Sequence, residues 1–225
     1  MIPLPVQTGR NPLVRWDWVT GEWDQIQTAL VQHLQLTFLS IFFGILLSGA
    51  LAFVALRYRW TLSPITGFTG FLYTIPSVAL FGLLVPYTGL AARTAVIALT
   101  LYTLLILVTN TVAGFQSVPR PVIEAANGMG FTPFRRVMRV ELPLALPYII
   151  TGLRIATVTT VGLVTIAAII GQGGLGRLIL DGLQRTFWTP MVVGSVLSVV
   201  LALLLDLLIF AAGIFATPWM RRAQH

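Results

Sequence analysis

Pro121 to Pro147 reads PVIEAANGMGFTPFRRVMRVELPLALP, and this stretch decides how the whole chain is read. It carries Glu124 and Glu141 and three closely set arginines, Arg135, Arg136 and Arg139. Apolar segments long enough to span a bilayer lie on both sides of it. Pro121 suits the first turn of a helix. Val122 to Asn127 continue that helix, with Glu124 near its positive N-terminal end. Gly128 and Gly130 punctuate. Thr132 is an N-cap with Pro133 in the first helical position. Phe134 to Val140 give about two turns, and Pro143 limits their extension. The expectation is a helix, a glycine turn and a second helix, with Phe131, Phe134, Val137 and Met138 beside the arginines. A helix this short is marginal alone, so it packs on something. A solvated loop with lipid-facing arginines is the alternative on physics alone.

Working outward, the 225 residues are 56% hydrophobic and only 9% charged. Soluble domains are about 25% charged, so the chain reads as an all-α polytopic membrane protein. Its net charge of +7 comes from arginines set mostly between apolar runs, which argues for membrane topology rather than nucleic acid. There is no cysteine, which excludes disulfides, thiolate catalysis and cysteine metal sites. There is no lysine either, so no GxxxxGK[ST] phosphate loop exists here. If the work uses ATP, the nucleotide site is on another chain.

Residues 1 to 33 do not read as a cleavable signal peptide, because Asp17, Glu22 and Asp24 interrupt them. Trp16, Val19, Trp23, Ile26 and Leu30 recur at helical spacing. They fit either a helix lying in the membrane interface or an ordinary packing helix, beginning near Glu22. Five spans follow, each of about 20 apolar residues: Leu34 to Leu56, Gly67 to Pro86, Thr94 to Ala113, Leu146 to Ile170 and Met191 to Ala216. A loop over 114–145 joins the third and fourth, residues 34–218 form one transmembrane unit, and 219–225 form a tail. Arg57, Arg59, Arg120, Arg135, Arg136, Arg139, Arg221 and Arg222 then share one side. The positive-inside rule makes that side cytoplasmic, with the N-terminus outside and the C-terminus inside. Gly171 to Gly176 matches GxGxxG literally as GQGGLG. It follows a long apolar run rather than a strand, so a glycine-rich turn outranks a dinucleotide site.

The loop then carries a resemblance. Glu124-Ala125-Ala126, three residues, Gly130, nine residues and Val140-x-Leu142-Pro143 resembles the EAA loop of ABC-importer permeases, the binding-protein-dependent transport permeases. The single departure is Val140 for isoleucine. The resemblance covers roughly Leu34 to Pro218 and implies a five-helix core whose coupling helix inserts in a groove of a cytoplasmic ABC ATPase. Glu124, Ala125, Ala126, Gly128, Gly130, Phe134, Arg135, Val140, Leu142 and Pro143 are the implied coupling residues. The implied partners are an ATPase dimer that carries ATP and Mg, an extracytoplasmic solute-binding protein and a second permease copy, identical or related. The implied setting is the bacterial cytoplasmic (inner) membrane. Ile75 to Gly82 as IPSVALFG, EAANGMG and IGQGGLG look like the osmoprotectant branch, which imports glycine betaine, choline or carnitine. A permease for an amino acid such as methionine shares the architecture. A secondary transporter or channel would be expected to show paired broken helices in inverted repeats, and none stands out.

Two sites inside the membrane follow from the residues. Pro76 removes a backbone hydrogen bond in the middle of the second span. Tyr73, Thr74 and Ser77 surround the break, so Tyr73, Pro76 and Ser77 are candidates for lining the route. Arg154 and Asp206 lie eight and ten residues from the cytoplasmic ends of their spans, hence at similar depth. They are candidates for an intramembrane pair; the alternative bonds Asp206 to a hydroxyl such as Thr157. No catalytic constellation and no metal-ligand spacing appears, and His33 and His225 are isolated, His33 as the end of the interfacial helix.

Overall fold

The computed structural model describes residues 13–219, and these form helices with no strand among them. Arg10, Arg221, Arg222 and His225 lie outside the described residues, as do the first twelve positions and the end of the tail. A short helix α1 (Trp16–Gly21) leads into α2 (Trp23–Arg57). Then come α3 (Leu62–Thr74), α4 (Ser77–Thr88), α5 (Ala92–Gln116), α6 (Arg120–Gly128) and α7 (Pro133–Arg136). Helices α8 (Leu142–Ile166), α9 (Leu175–Gln184) and α10 (Trp188–Ala216) complete the chain. Four helices are long and apolar enough to cross a membrane, or five spans if α3 and α4 count as one broken span.

Three expected boundaries change. The helix that holds the first span starts before Leu34. α2 is continuous from Trp23, because Ile26 and Ala29 bury against Leu175 and Leu178 of α9 and Val161 of α8. Packing on α8 and α9 thus extends the helix of the first span toward the N-terminus, and residues 23–33 belong to it rather than to a helix of their own. Trp16 and Trp23 remain exposed. The span at Gly67 to Pro86 is not straight either. It bends by 97° at Ile75-Pro76. Ile75 has ψ 126 and Pro76 ψ 135, extended values that a residue beside proline favours. Finally, Pro143 does not stop the second limb of the hairpin. A π-helical turn over Val137–Glu141 leads directly into α8. Pro143 follows the π turn, where Leu142 N–H reaches back to Val137 O, and this wider spacing lets the helix run on past a residue with no N–H to give. The loop's second half is therefore continuous with the fourth span in one lever, a 38-residue helical run from Pro133 to Ile170.

The core lies where α2, α4, α5 and α8 meet, around Leu36, Phe81, Leu99, Tyr102 and Val164. α5 and α8 approach through small residues, as membrane helices do without a hydrophobic drive between them. A Cβ on Gly114 would stand 2.7 Å from the Ala145 carbonyl, and one on Gly152 would stand 2.6 Å from Asn110. Ala145 is fully buried at this contact.

Candidate functional site: a hairpin, a broken helix and an intramembrane ion pair

The hairpin is built by its own turn. α6 ends with Gly130 N–H donating to Asn127 O (3.0 Å) and Phe131 N–H donating to Ala126 O (3.2 Å). These are the two bonds of a Schellman motif, which needs a left-handed residue next. Gly130 supplies it with φ +78. Thr132 then caps α7 by accepting from Arg135 N–H at 3.4 Å. Of the expected coupling residues, Ala126 is buried and anchors α6. Val140, Leu142 and Pro143 are half-buried at the start of the lever. Glu124, Ala125, Gly128, Gly130, Phe134 and Arg135 face outward. Phe134 (70%), Met129 (69%) and Met138 (48%) are exposed apolar side chains on a polar hairpin, which is the composition of a docking surface.

Sequence reasoning missed what braces the two limbs. Arg136 donates through Nε to Glu141 Oε1 at 2.6 Å and through Nη1 to Asn127 Oδ1 at 2.9 Å. One guanidinium thus joins the end of α6 to the π turn before α8. Its side chain is only 26% exposed and that of Glu141 13%, so the pair is better shielded than an ordinary surface bridge. Arg136→Ala is expected to leave membrane levels unchanged and to raise protease cleavage between Asn127 and Pro133 several-fold. Equal cleavage of both proteins contradicts the brace.

At the second break the carbonyls are satisfied locally. Ile75 N–H donates to Leu72 O at 3.3 Å, replacing the bond Pro76 cannot make. The Tyr102 hydroxyl of α5 donates to Ile75 O. Tyr73 stands edge-on to Tyr102, centroids 5.9 Å apart at 77°. Tyr73, Thr74 and Pro76 are exposed and Ser77 half-buried. Together with Tyr102 and Thr159 they line a cavity of about 270 Å³.

Arg154 and Asp206 meet as a bidentate pair. Arg154 Nε donates to Asp206 Oδ1 and Nη2 donates to Oδ2, both at 2.7 Å. The guanidinium also stacks over Phe210 at 4.8 Å. Thr157, the alternative partner, is buried with its hydroxyl unpaired. This fork geometry is the strong form of an ion pair, and it ties α8 to α10.

The other end of the bundle holds a clamp that the isolated-histidine reading missed. His33 is fully buried rather than interfacial. Its Nδ1 accepts from Leu175 N–H at 3.2 Å and its Nε2 lies 3.1 Å from Val161 O. The backbone donor fixes the neutral tautomer with hydrogen on Nε2. Gln32 Oε1 accepts from Gly174 N–H at 3.2 Å. The GQGGLG turn is thereby held rather than loose. Gly174 has φ +90, and a Cβ on Gly176 would meet the Thr165 carbonyl at 2.1 Å. The glycines serve close helix packing, and no strand leads into them. His33→Leu leaves the buried Leu175 N–H at the start of α9 unpaired, about 1–3 kcal/mol. A melting temperature lowered by several degrees is expected, with His33→Gln milder; equal loss in both contradicts the clamp. Among the described residues no His, Asp and Glu cluster has metal-binding geometry.

The described residues thus form a helical bundle with a braced polar hairpin between the third and fourth spans. The chain matches the family model "Binding-protein-dependent transport system inner membrane component" over residues 31–212. It is 38% identical over 192 residues to the osmoprotectant import permease protein OsmW of Salmonella typhimurium, covering 83% of this chain and 89% of that one. It is 32% identical to the choline transport system permease protein OpuBB of Bacillus subtilis, covering 83% and 86%. It is 41% identical over 169 residues to the ergothioneine transport permease/ergothioneine binding protein EgtU of Helicobacter pylori, covering 75% of this chain and 30% of that longer one. Its fold matches the inward-facing MetNI methionine ABC transporter with a TM-score of 0.70 at 24% identity, covering 88% of this chain and 97% of that one. It also matches an amino acid ABC transporter crystallised with histidines, TM-score 0.74 at 20% identity, covering 89% and 98%. This chain belongs to the binding-protein-dependent transport permeases. It is accordingly a multi-span inner-membrane protein and the permease component of a transport system.

Proposed function

We infer that this chain is the membrane subunit of an ATP-driven importer for a small quaternary-ammonium osmoprotectant such as glycine betaine, choline or carnitine. A separate binding protein delivers the solute, and a separate cytoplasmic ATPase dimer carries ATP and Mg. The observation that carries the reading is the hairpin. Its EAA spacing coincides with an exposed apolar tip, Phe134 and Met129, on a turn fixed by Gly130 and Arg136. The solute class rests on the names of relatives at 30–38% identity over most of their length. The methionine and amino acid transporters support the fold.

The mechanism follows from the mechanical connections. An ATPase groove takes the apolar tip, with Arg135 and Arg139 at its rim. ATP-driven closure of the ATPase pair draws two hairpins together, one from this chain and one from a second permease copy. The hairpin of this chain continues without a break into α8. α8 contacts α5 through Gly114–Ala145 and Gly152–Asn110 and α10 through Arg154–Asp206. Displacement at the tip therefore moves a packed block of helices past the α3–α4 break. Tyr73, Pro76 and Ser77 at that break line the route. The arginine distribution sets the hairpin in the cytoplasm.

Co-purification with the ATPase and binding protein, followed by uptake of labelled glycine betaine, tests this. Tyr73→Ala with Ser77→Ala is expected to cut uptake at least about tenfold at unchanged membrane levels, the scale of lost positioning contacts. Unchanged transport removes the break from the route.

A further inference from the structure

The cavity at the α3–α4 break has a chemistry of its own. Its wall holds two phenol rings, Tyr73 and Tyr102, and three hydroxyl oxygens, Thr74, Ser77 and Thr159. None of its lining side chains is ionised. At about 270 Å³ it falls near the lower end of small-molecule sites, roughly 300–1,000 Å³.

The rings are set, not free. Tyr102 is buried and its hydroxyl is spent on the Ile75 carbonyl, which fixes the ring's position. Tyr73, 39% exposed, leans on it at 77°. Two ring planes near a right angle make an aromatic corner with oxygen atoms along its edges. Anions are disfavoured there, because the ring faces are electron-rich and no cationic side chain lines the cavity. A small metal cation lacks the carboxylates that usually hold it. A cation whose charge is spread over methyl groups fits, since it needs no hydrogen bonds and is drawn to ring faces. Without a carboxylate the hold is weak, which a transit site requires if it is to release its solute onward.

We propose that this corner is a transit subsite for the trimethylammonium head of the solute, with Tyr73 giving the exposed ring face, Tyr102 fixing it from behind, and Ser77 and Thr159 the flanking oxygens. It rests on the reading that the chain conducts such solutes.

The chain's lack of cysteine makes the test direct. Ser77→Cys and Thr159→Cys each place one reporter thiol in the cavity. Their labelling by a small neutral maleimide is followed by mass spectrometry in the permease–ATPase complex in nanodiscs, with the binding protein left out. Choline is expected to slow labelling at both positions by about threefold or more, as weak cation–π binding allows at high ligand concentration. Its uncharged carbon isostere, 3,3-dimethyl-1-butanol, is expected not to. Tyr73→Leu should remove the protection and Tyr73→Phe should keep it. Equal protection by the isostere, protection that survives Tyr73→Leu, or none by choline at either reporter overturns the subsite. Uptake of glycine betaine by the unmodified transporter is measured in parallel. Uptake without protection sinks the subsite and leaves the solute reading standing. Protection without uptake supports trimethylammonium binding at the corner and sinks the solute reading together with the transit role.

Discussion

Gly130→Asp is expected to abolish ATP-driven uptake while the chain still inserts and accumulates at normal levels. Gly130 has φ +78, a conformation that costs an L-residue about 1–2 kcal/mol. The turn it permits makes two bonds, Gly130 N–H to Asn127 O and Phe131 N–H to Ala126 O. If the turn opens, the angle between α6 and the lever is lost, and Phe134 no longer stands at a fixed place relative to Ala126. A new carboxylate also competes with Asn127 and Glu141 for Arg136. None of this touches α2, α5 or α10, so insertion survives. Uptake should fall at least about a hundredfold, because a misplaced docking element forfeits the positioning on which coupling depends. Gly130→Asn is the control. Asparagine tolerates the left-handed region and adds no charge, so it should retain a substantial fraction of uptake. Full transport by Gly130→Asp contradicts a docking role for the hairpin, and equal loss in both variants contradicts the backbone argument.

The second large effect concerns Arg154 and Asp206. Asp206→Ala leaves a guanidinium facing Phe210 with no counter-charge. Breaking such a pair by removing one partner costs about 3–5 kcal/mol. Low membrane levels and a strongly lowered unfolding temperature in detergent are the expected results. Arg154→Leu with Asp206→Leu removes both charges and should recover most of that loss, since apolar replacement of a whole pair is often neutral. The side chains are 33% and 28% exposed, so the lower half of the range is the better expectation. A double variant as unstable as Asp206→Ala would show that the pair does not act as a unit. Recovery of stability without recovery of uptake would assign it a part in the moving block as well.

Legibility divided along physical lines. The helical class and the number of apolar segments were plain because membrane spans announce themselves by length and hydropathy. The hairpin's glycine turn and its Thr132-Pro133 start were legible because turn and cap chemistry is local. The depth match of Arg154 and Asp206 needed only the helical rise. What failed needed tertiary contact. α2 begins at Trp23 because α8 and α9 bury Ile26 and Ala29, and no local signal marks that. Pro76 announced a break but not its angle of 97°. Pro143 looked like a stop and is instead the first turn of α8, because the π turn before it carries the helix through. Arg136, Asn127 and Glu141 meet at separations of nine and five residues, off the α-helical period. His33 sits among apolar and glutamine neighbours, and its partners lie 128 and 142 residues away.

Uptake by proteoliposomes holding this chain, its ATPase and its binding protein is the most direct measurement of what the molecule does. Labelled glycine betaine should accumulate only when ATP is on the ATPase side and the binding protein is on the other. Choline or carnitine should compete and methionine should not. Accumulation of methionine with no movement of glycine betaine, or betaine uptake that proceeds without ATP, contradicts the account.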